Sequence, residues 1–239
     1  MAGRGEVLVA LTGVTKNYHS LRPLRVLSLE LHAAERVALL GLDQAGAEVI
    51  VNLIAGATLP DTGEVSAFGQ PTTAITTGDA WMSALDAFGI ISERALLLEQ
   101  LTAGQNLAVP LSLELHDLPA PIRAQVDRLA AEVGLPAGRL TTFTSELTPL
   151  ERMRLRLGRA IAVGPRVLMA EHPNASLPPD DRATFAADLS RVAVARGLAL
   201  LVLTADPVFA AATGDRVMAL NLATGELTAA ARGWRRWLS

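Results

Sequence analysis

The chain has 239 residues, a formal net charge of −3 and no cysteine, which excludes a disulfide framework, a cysteine metal site and a thiol nucleophile. Arginine supplies every basic residue but Lys16, and the balance is slightly acidic, so nothing points to a nucleic-acid footprint. Half of the residues are hydrophobic and 19% are charged, a composition that builds one large α/β domain, or a core with a small subdomain, rather than a disordered chain. Charge or glycine interrupts every apolar stretch well before the ~20 residues of a membrane span. Met1 to Gly5 leads straight into a strand-like run without a signal-peptide pattern. This is compatible with the cytoplasm.

Short apolar runs alternate with helical patterns, which favours a mostly parallel sheet flanked by helices. Val7 to Leu11, Arg25 to Leu31 and Val37 to Leu40 are closely spaced strand candidates, read as an antiparallel β-subdomain feeding a central strand. A helix follows from about Gly46 to Ile54, stopped by Gly56. Pro60 to Gly63 is a turn, Glu64 to Phe68 a strand and Phe88 to Ile91 a short strand. Residues 94–160 read as mostly helical, with Pro119 and Pro121 opening the helix that carries Val126, Leu129 and Val133. Strands return at Val167 to Ala170, Ala199 to Leu203 and Arg216 to Leu220. The division expected is a core of 1–93 and 161–228, a helical insertion at 94–160 and a tail at 229–239.

The run from Val37 through Gly41-Leu-Asp-Gln-Ala-Gly46-Ala47-Glu48 passes from a buried strand, through a glycine-bounded loop, into a helix. That is the context of a phosphate-binding loop, G-x-x-x-x-G-K-[S/T], whose lysine and hydroxyl meet the phosphates and Mg²⁺. Here Ala47 replaces the lysine and Glu48 the hydroxyl. Glycine spacing alone equally describes an ordinary strand–helix turn. Glu48 sets a carboxylate against any phosphate: two unit charges 4 Å apart at an effective dielectric of 20 repel by roughly 4 kcal/mol. Glu48 itself is the expected anion at the helix start, against the plainer reading of a solvated side chain.

Downstream residues give the loop its meaning. Tyr18 precedes it, and Phe88-Gly-Ile-Ile-Ser-Glu93 ends a strand beyond it. Leu147-Thr148-Pro149-Leu150-Glu151 is followed by Arg152, Arg154 and Arg159-Ala160-Ile161-Ala162, and then come Val167-Leu-Met-Ala170-Glu171-His172-Pro173, Pro178 and Thr204-Ala205-Asp206. In this order and spacing, over roughly residues 7–228, the chain resembles the ATP-binding subunits of ABC transporters, with an α/β P-loop NTPase-like core. Leu101-Thr102-Ala-Gly-Gln-Asn106 is most similar to the lipid-trafficking and lipoprotein-release branches.

The resemblance implies a role for each position. Tyr18 would stack on adenine, and Gly41, Gly46, Ala47 and Glu48 would face the nucleotide. Glu93 stands for the glutamine that senses the metal, Glu171 for the Mg²⁺ aspartate, His172 for the catalytic glutamate and Ala205 for the γ-phosphate-sensing histidine. Leu147 to Glu151 stand for L-S-G-G-[E/Q] with both glycines gone; Pro149 lacks an N–H, and Leu150 is expected to add bulk where a partner's phosphate approaches.

No catalytic position is intact, so the expectation is a non-hydrolysing subunit. It would sit peripherally on the cytoplasmic face of the inner membrane, docked on a permease, as a homodimer or beside a paralogous ATPase. No cofactor is required, and ATP with Mg²⁺ would bind weakly. Two alternatives stand beside it: an active ATPase using Glu171 and His172, and a stand-alone binding module of the same fold. His19, His32, His116 and His172 lack metal-ligand spacing. The closing Gly233-Trp234-Arg-Arg-Trp237-Leu-Ser239 reads as a packed terminus or an interfacial contact.

Overall fold

A computed structural model describes residues 5–18 and 20–230; His19 and the closing Trp/Arg segment lie outside them. The first layer is an antiparallel sheet of β1 (Val7–Lys16), β2 (Leu24–His32), β4 (Thr62–Ala67) and the short β5 (Gln70–Pro71), in the order β2-β1-β4-β5. Its inward residues alternate: Leu24, Val26 and Leu29 of β2 are buried while Arg25, Leu27 and Ser28 face out, the pattern of a sheet with one wet face.

The second sheet holds β3 (Arg36–Leu40), β6 (Phe88–Ile91), β7 (Val167–Glu171), β8 (Ala199–Leu203), β9 (Arg216–Leu220) and β10 (Leu227–Ala229), in the order β10-β9-β3-β8-β7-β6. All neighbours are parallel except β10 with β9. Every residue of β7 and β8 is buried, which explains why these strands read as continuous apolar runs. One core packs between the two sheets around α1 (Gln44–Ile54), and the other lies on the far side of the parallel sheet.

The remaining helices are α2 (Gly78–Leu85), α3 (Ala103–Ala108), α4 (Ala120–Val133), α5 (Pro149–Ile161), α6 (Pro179–Arg196) and α7 (Pro207–Thr213). Residues 94–160 are less helical than expected, because long irregular stretches separate α3, α4 and α5. Those stretches are held by polar anchors instead. Buried Asn106 donates from Nδ2 to the Leu98 carbonyl at 2.9 Å and to Thr144 Oγ1 at 2.8 Å. Among the described residues no helix is long and apolar enough to cross a membrane.

Candidate functional site

The carboxyl ends of β3, β6, β7 and β8 point toward one rim of the parallel sheet, and the singled-out residues of the first half gather there. β3 leads into Gly41, whose φ of +97° requires glycine, and where a Cβ would meet the Leu220 carbonyl oxygen at 2.7 Å. The helix then starts at Gln44, two residues earlier than its sequence suggests. Asp43 is the N-cap: its Oδ1 accepts the Gly46 N–H at 2.7 Å, and its carbonyl accepts the Ala47 N–H at 3.0 Å.

The anion at this helix start is therefore Asp43, and the expectation for Glu48 is corrected. No acidic residue lies in the first turn of α1; Glu48, the fifth residue of the helix, is too far along to meet the free N–H groups. Ala47 is wholly buried in the core between the sheets. Tyr18 is half-buried against the same core, its hydroxyl 3.7 Å from where a Cβ on Gly46 would lie.

Glu48 turns instead to Arg94, a residue that sequence reasoning did not single out. Arg94 Nη1 donates to Glu48 Oε1 at 2.8 Å, and its other edge grips Glu171, with Nη2 on Oε1 at 2.6 Å and Nε on Oε2 at 3.3 Å. Ser92 Oγ donates to Glu171 Oε2 at 2.7 Å and accepts the Arg94 N–H at 3.2 Å. The Glu171 side chain has no exposure, while Arg94 and Glu48 are 42% and 38% exposed. The cation thus reaches from the rim to a buried acid. A buried carboxylate left without such a partner is strongly unfavourable. Glu93 is exposed and lines a cleft with Arg152 and Arg156.

His172 follows Glu171 in the left-handed region, at φ +41°, uncommon for a residue with a side chain. Its N–H holds the Leu203 carbonyl at 2.7 Å, and its buried Nε2 has no hydrogen-bond partner among the described residues. Beyond it, Asn174 ties the strand ends together: its Oδ1 accepts from Thr204 Oγ1 at 2.9 Å, and its Nδ2 donates to Asp206 Oδ2 at 3.1 Å. Ala205 is exposed between these anchors, and Pro178 is the N-cap of α6.

Leu147 to Glu151 form a self-satisfied helix start. Thr148 caps α5 and shares a capping box with Glu151, whose Oε2 accepts the Thr148 N–H at 2.9 Å while Thr148 Oγ1 accepts the Glu151 N–H at 3.3 Å. Pro149 takes the first helical position, where an N–H is not missed. Arg139 closes on Glu151 with bonds of 2.6 and 3.0 Å, and its hydrogen bonds hold the Glu151 carboxyl below the usual range. Leu150 is seated in its own chain as the second residue of α5. It is half-buried and packs on the core beside Leu147.

The residues present do not fit a metal–nucleotide complex. A carboxylate already holds the Gly46 N–H at the start of α1, and a guanidinium already holds the acid that would face a metal. Among the described residues no group of three or more His, Cys, Asp or Glu is arranged to hold a metal ion.

Comparison with known proteins agrees with the architecture. Residues 24–175 match the family model described as ABC transporter. The chain is 31% identical over 216 residues to the sulfate/thiosulfate import ATP-binding protein CysA of Gloeobacter violaceus, covering 89% of this chain and 60% of that protein. It is 30% identical over 234 residues to the lipoprotein-releasing system ATP-binding protein LolD of Syntrophotalea carbinolica, covering 94% and 99%. The chain spans about three-fifths of the length of the first curated relatives it matches. The fold superposes on the dimeric bacterial ABC transporter cassette MJ0796 with a TM-score of 0.75 at 21% identity, over 89% of this chain and 94% of that one. With its two sheets, its glycine-bounded loop and its α5 start in the family's order, the chain belongs to the ABC transporter family.

Proposed function

We propose that this chain is the ATP-binding-cassette subunit of a membrane transporter and serves a structural or regulatory role on its permease without turning over ATP. The observation that carries this reading is the capped start of α1. Asp43 Oδ1 accepts the Gly46 N–H, while the Ala47 N–H is taken by the Asp43 main-chain carbonyl within the helix, so a phosphate would have to displace a carboxylate of its own sign from Gly46, with no lysine at position 47 to offset the repulsion. The buried Glu171, engaged by Arg94 and Ser92, supports the same reading against an active site built on Glu171 and His172.

Docking on a permease is supported by an open cleft of about 380 Å³ between the β6 end and α5, lined by Phe88, Ile90, Ala95, Pro110, Arg156 and Arg159, among others. Leu96 and Val163 stand exposed. Arg156 Nε is buried there without a hydrogen-bond partner among the described residues, and burial depresses the pKa of that guanidinium. A carbonyl or carboxylate on a cytoplasmic segment of the permease would satisfy it. We place the subunit on the cytoplasmic face of the membrane, dimeric with a second copy or a paralogue, with 94–160 as its helical subdomain. Steady-state phosphate release from the assembled complex tests the proposal: release no greater than from a mock complex is expected, and turnover clearly above it would overturn the reading.

A further inference from the structure

The cluster around Arg94 invites a question that absent turnover does not answer: why a site without phosphate chemistry keeps two carboxylates facing one another. Glu48 lies on α1, Glu171 at the end of β7 and Arg94 in the loop after β6, so three segments distant in sequence, 46 and 77 residues from Arg94, meet on one cation. The oxygens that meet the guanidinium are those of two carboxylates, Glu48 and Glu171, the second of which also accepts the Ser92 hydroxyl. That is a hard-oxygen donor set, of the kind a divalent cation takes. The buried member of the pair, Glu171, has no exposure and requires a positive charge from some source.

We propose that Arg94 is a built-in site cation: its guanidinium fills the position between Glu48 and Glu171 that a divalent metal would otherwise fill. The donor geometry suits the substitution. The planar fork binds Glu171 by two edges and has a third nitrogen left for Glu48, a division of labour that a point charge on a lysine stem could not reproduce. The pairing holds α1, the β6 loop and β7 in one arrangement by the chain's own charge, independent of any metal. Metal is excluded as long as Arg94 is present, and a latent cation site is uncovered when it is removed. This inference deepens the reading of a site without turnover.

The test uses the full chain and Mn²⁺ as the probe, without nucleotide, so it can fail separately from the phosphate-release assay. Free Mn²⁺ is followed by electron paramagnetic resonance against the wild type, Arg94→Ser and Arg94→Ser/Glu171→Gln. The wild type is expected to show no saturable binding. Arg94→Ser is expected to bind one ion with a Kd of about 10⁻⁴–10⁻³ M, the weak end of the span of oxygen-ligand sites, which tightens with ligand charge and rigidity, and the added Glu171→Gln to abolish it. Saturable binding by the wild type as tight as in Arg94→Ser, or none by a folded Arg94→Ser, would overturn the proposal. Should Arg94→Ser not fold in metal-free buffer, Mn²⁺ is expected to restore its circular-dichroism spectrum, and the double variant, stripped of both charges, to fold without metal. Failure of both rescues would equally overturn it.

Discussion

Restoring the family's two glycines at the start of α5, as Pro149→Gly/Leu150→Gly, should weaken the protein without returning any activity. Leu150 is half-buried against the core, so its removal forfeits roughly half of a large-to-small core loss, about 1–2 kcal/mol. Glycine replacing leucine within the helix costs about 0.5–1 kcal/mol more. Losing Pro149 at the first helical position frees the unfolded chain by another ~0.5–1 kcal/mol. The expected loss is about 3 kcal/mol, a large share of the roughly 5–15 kcal/mol typical of a domain. Equilibrium unfolding in urea measures it as a lower midpoint at unchanged slope. A loss below about 1 kcal/mol would refute the view that these residues now serve the helix, because the packing and proline contributions that define this role would then be absent.

Two further outcomes follow from the geometry. Glu151 has a folded pKa held below its usual value by the Arg139 hydrogen bonds and, to a lesser degree, by those of Thr148. Its stabilisation is therefore complete above the ordinary glutamate range and lost as pH falls through and below it; the urea midpoint of Glu151→Gln should decline less between about pH 6 and pH 3 than that of the wild type, and parallel curves would contradict the assignment. Ala47→Lys/Glu48→Ser restores the motif letters but leaves Asp43 on the Gly46 N–H, so adding Asp43→Ser should raise ATP affinity in equilibrium dialysis beyond the pair alone. Equal affinities would remove Asp43 from the explanation.

β6 and β8 are legible because burial turns them into short apolar runs, and the half-buried β9 also runs where the sequence places it. α6 and α7 have no comparable signature, since alanine fills much of α6 and blurs the contrast between its buried Phe185, Leu189 and Val192 and its outer face. The true start of α1 is hidden because Gly46 reads as loop, although an aspartate just before an apolar-periodic segment is itself a helix-start signal. The role of Glu48 is hidden with it. Arg94 leaves no local trace at all: its partners lie 46 and 77 residues away, and only the convergence of α1, β6 and β7 at one rim gives it meaning. The capping box at Thr148 is written in the sequence as T-x-x-E, but the family's motif occupies the same letters and masks it.

Gly41 and Gly46 bear on what such a site inherits. A side chain at 41 would run into the Leu220 carbonyl oxygen at 2.7 Å, and one at 46 would press on Asp43 Oδ1 at 3.0 Å and Leu42 Cδ2 at 3.1 Å. Gly41 is demanded by a neighbouring backbone oxygen whether or not a phosphate ever arrives, whereas Gly46 is crowded only by the ends of two side chains. At 149 and 150 the fold accepts proline and leucine and packs them. A glycine that seats the backbone is required with or without a ligand, whereas one that only makes room for a ligand is not. The 41/46 spacing is thus a mark of descent, and it is poor testimony about present occupancy.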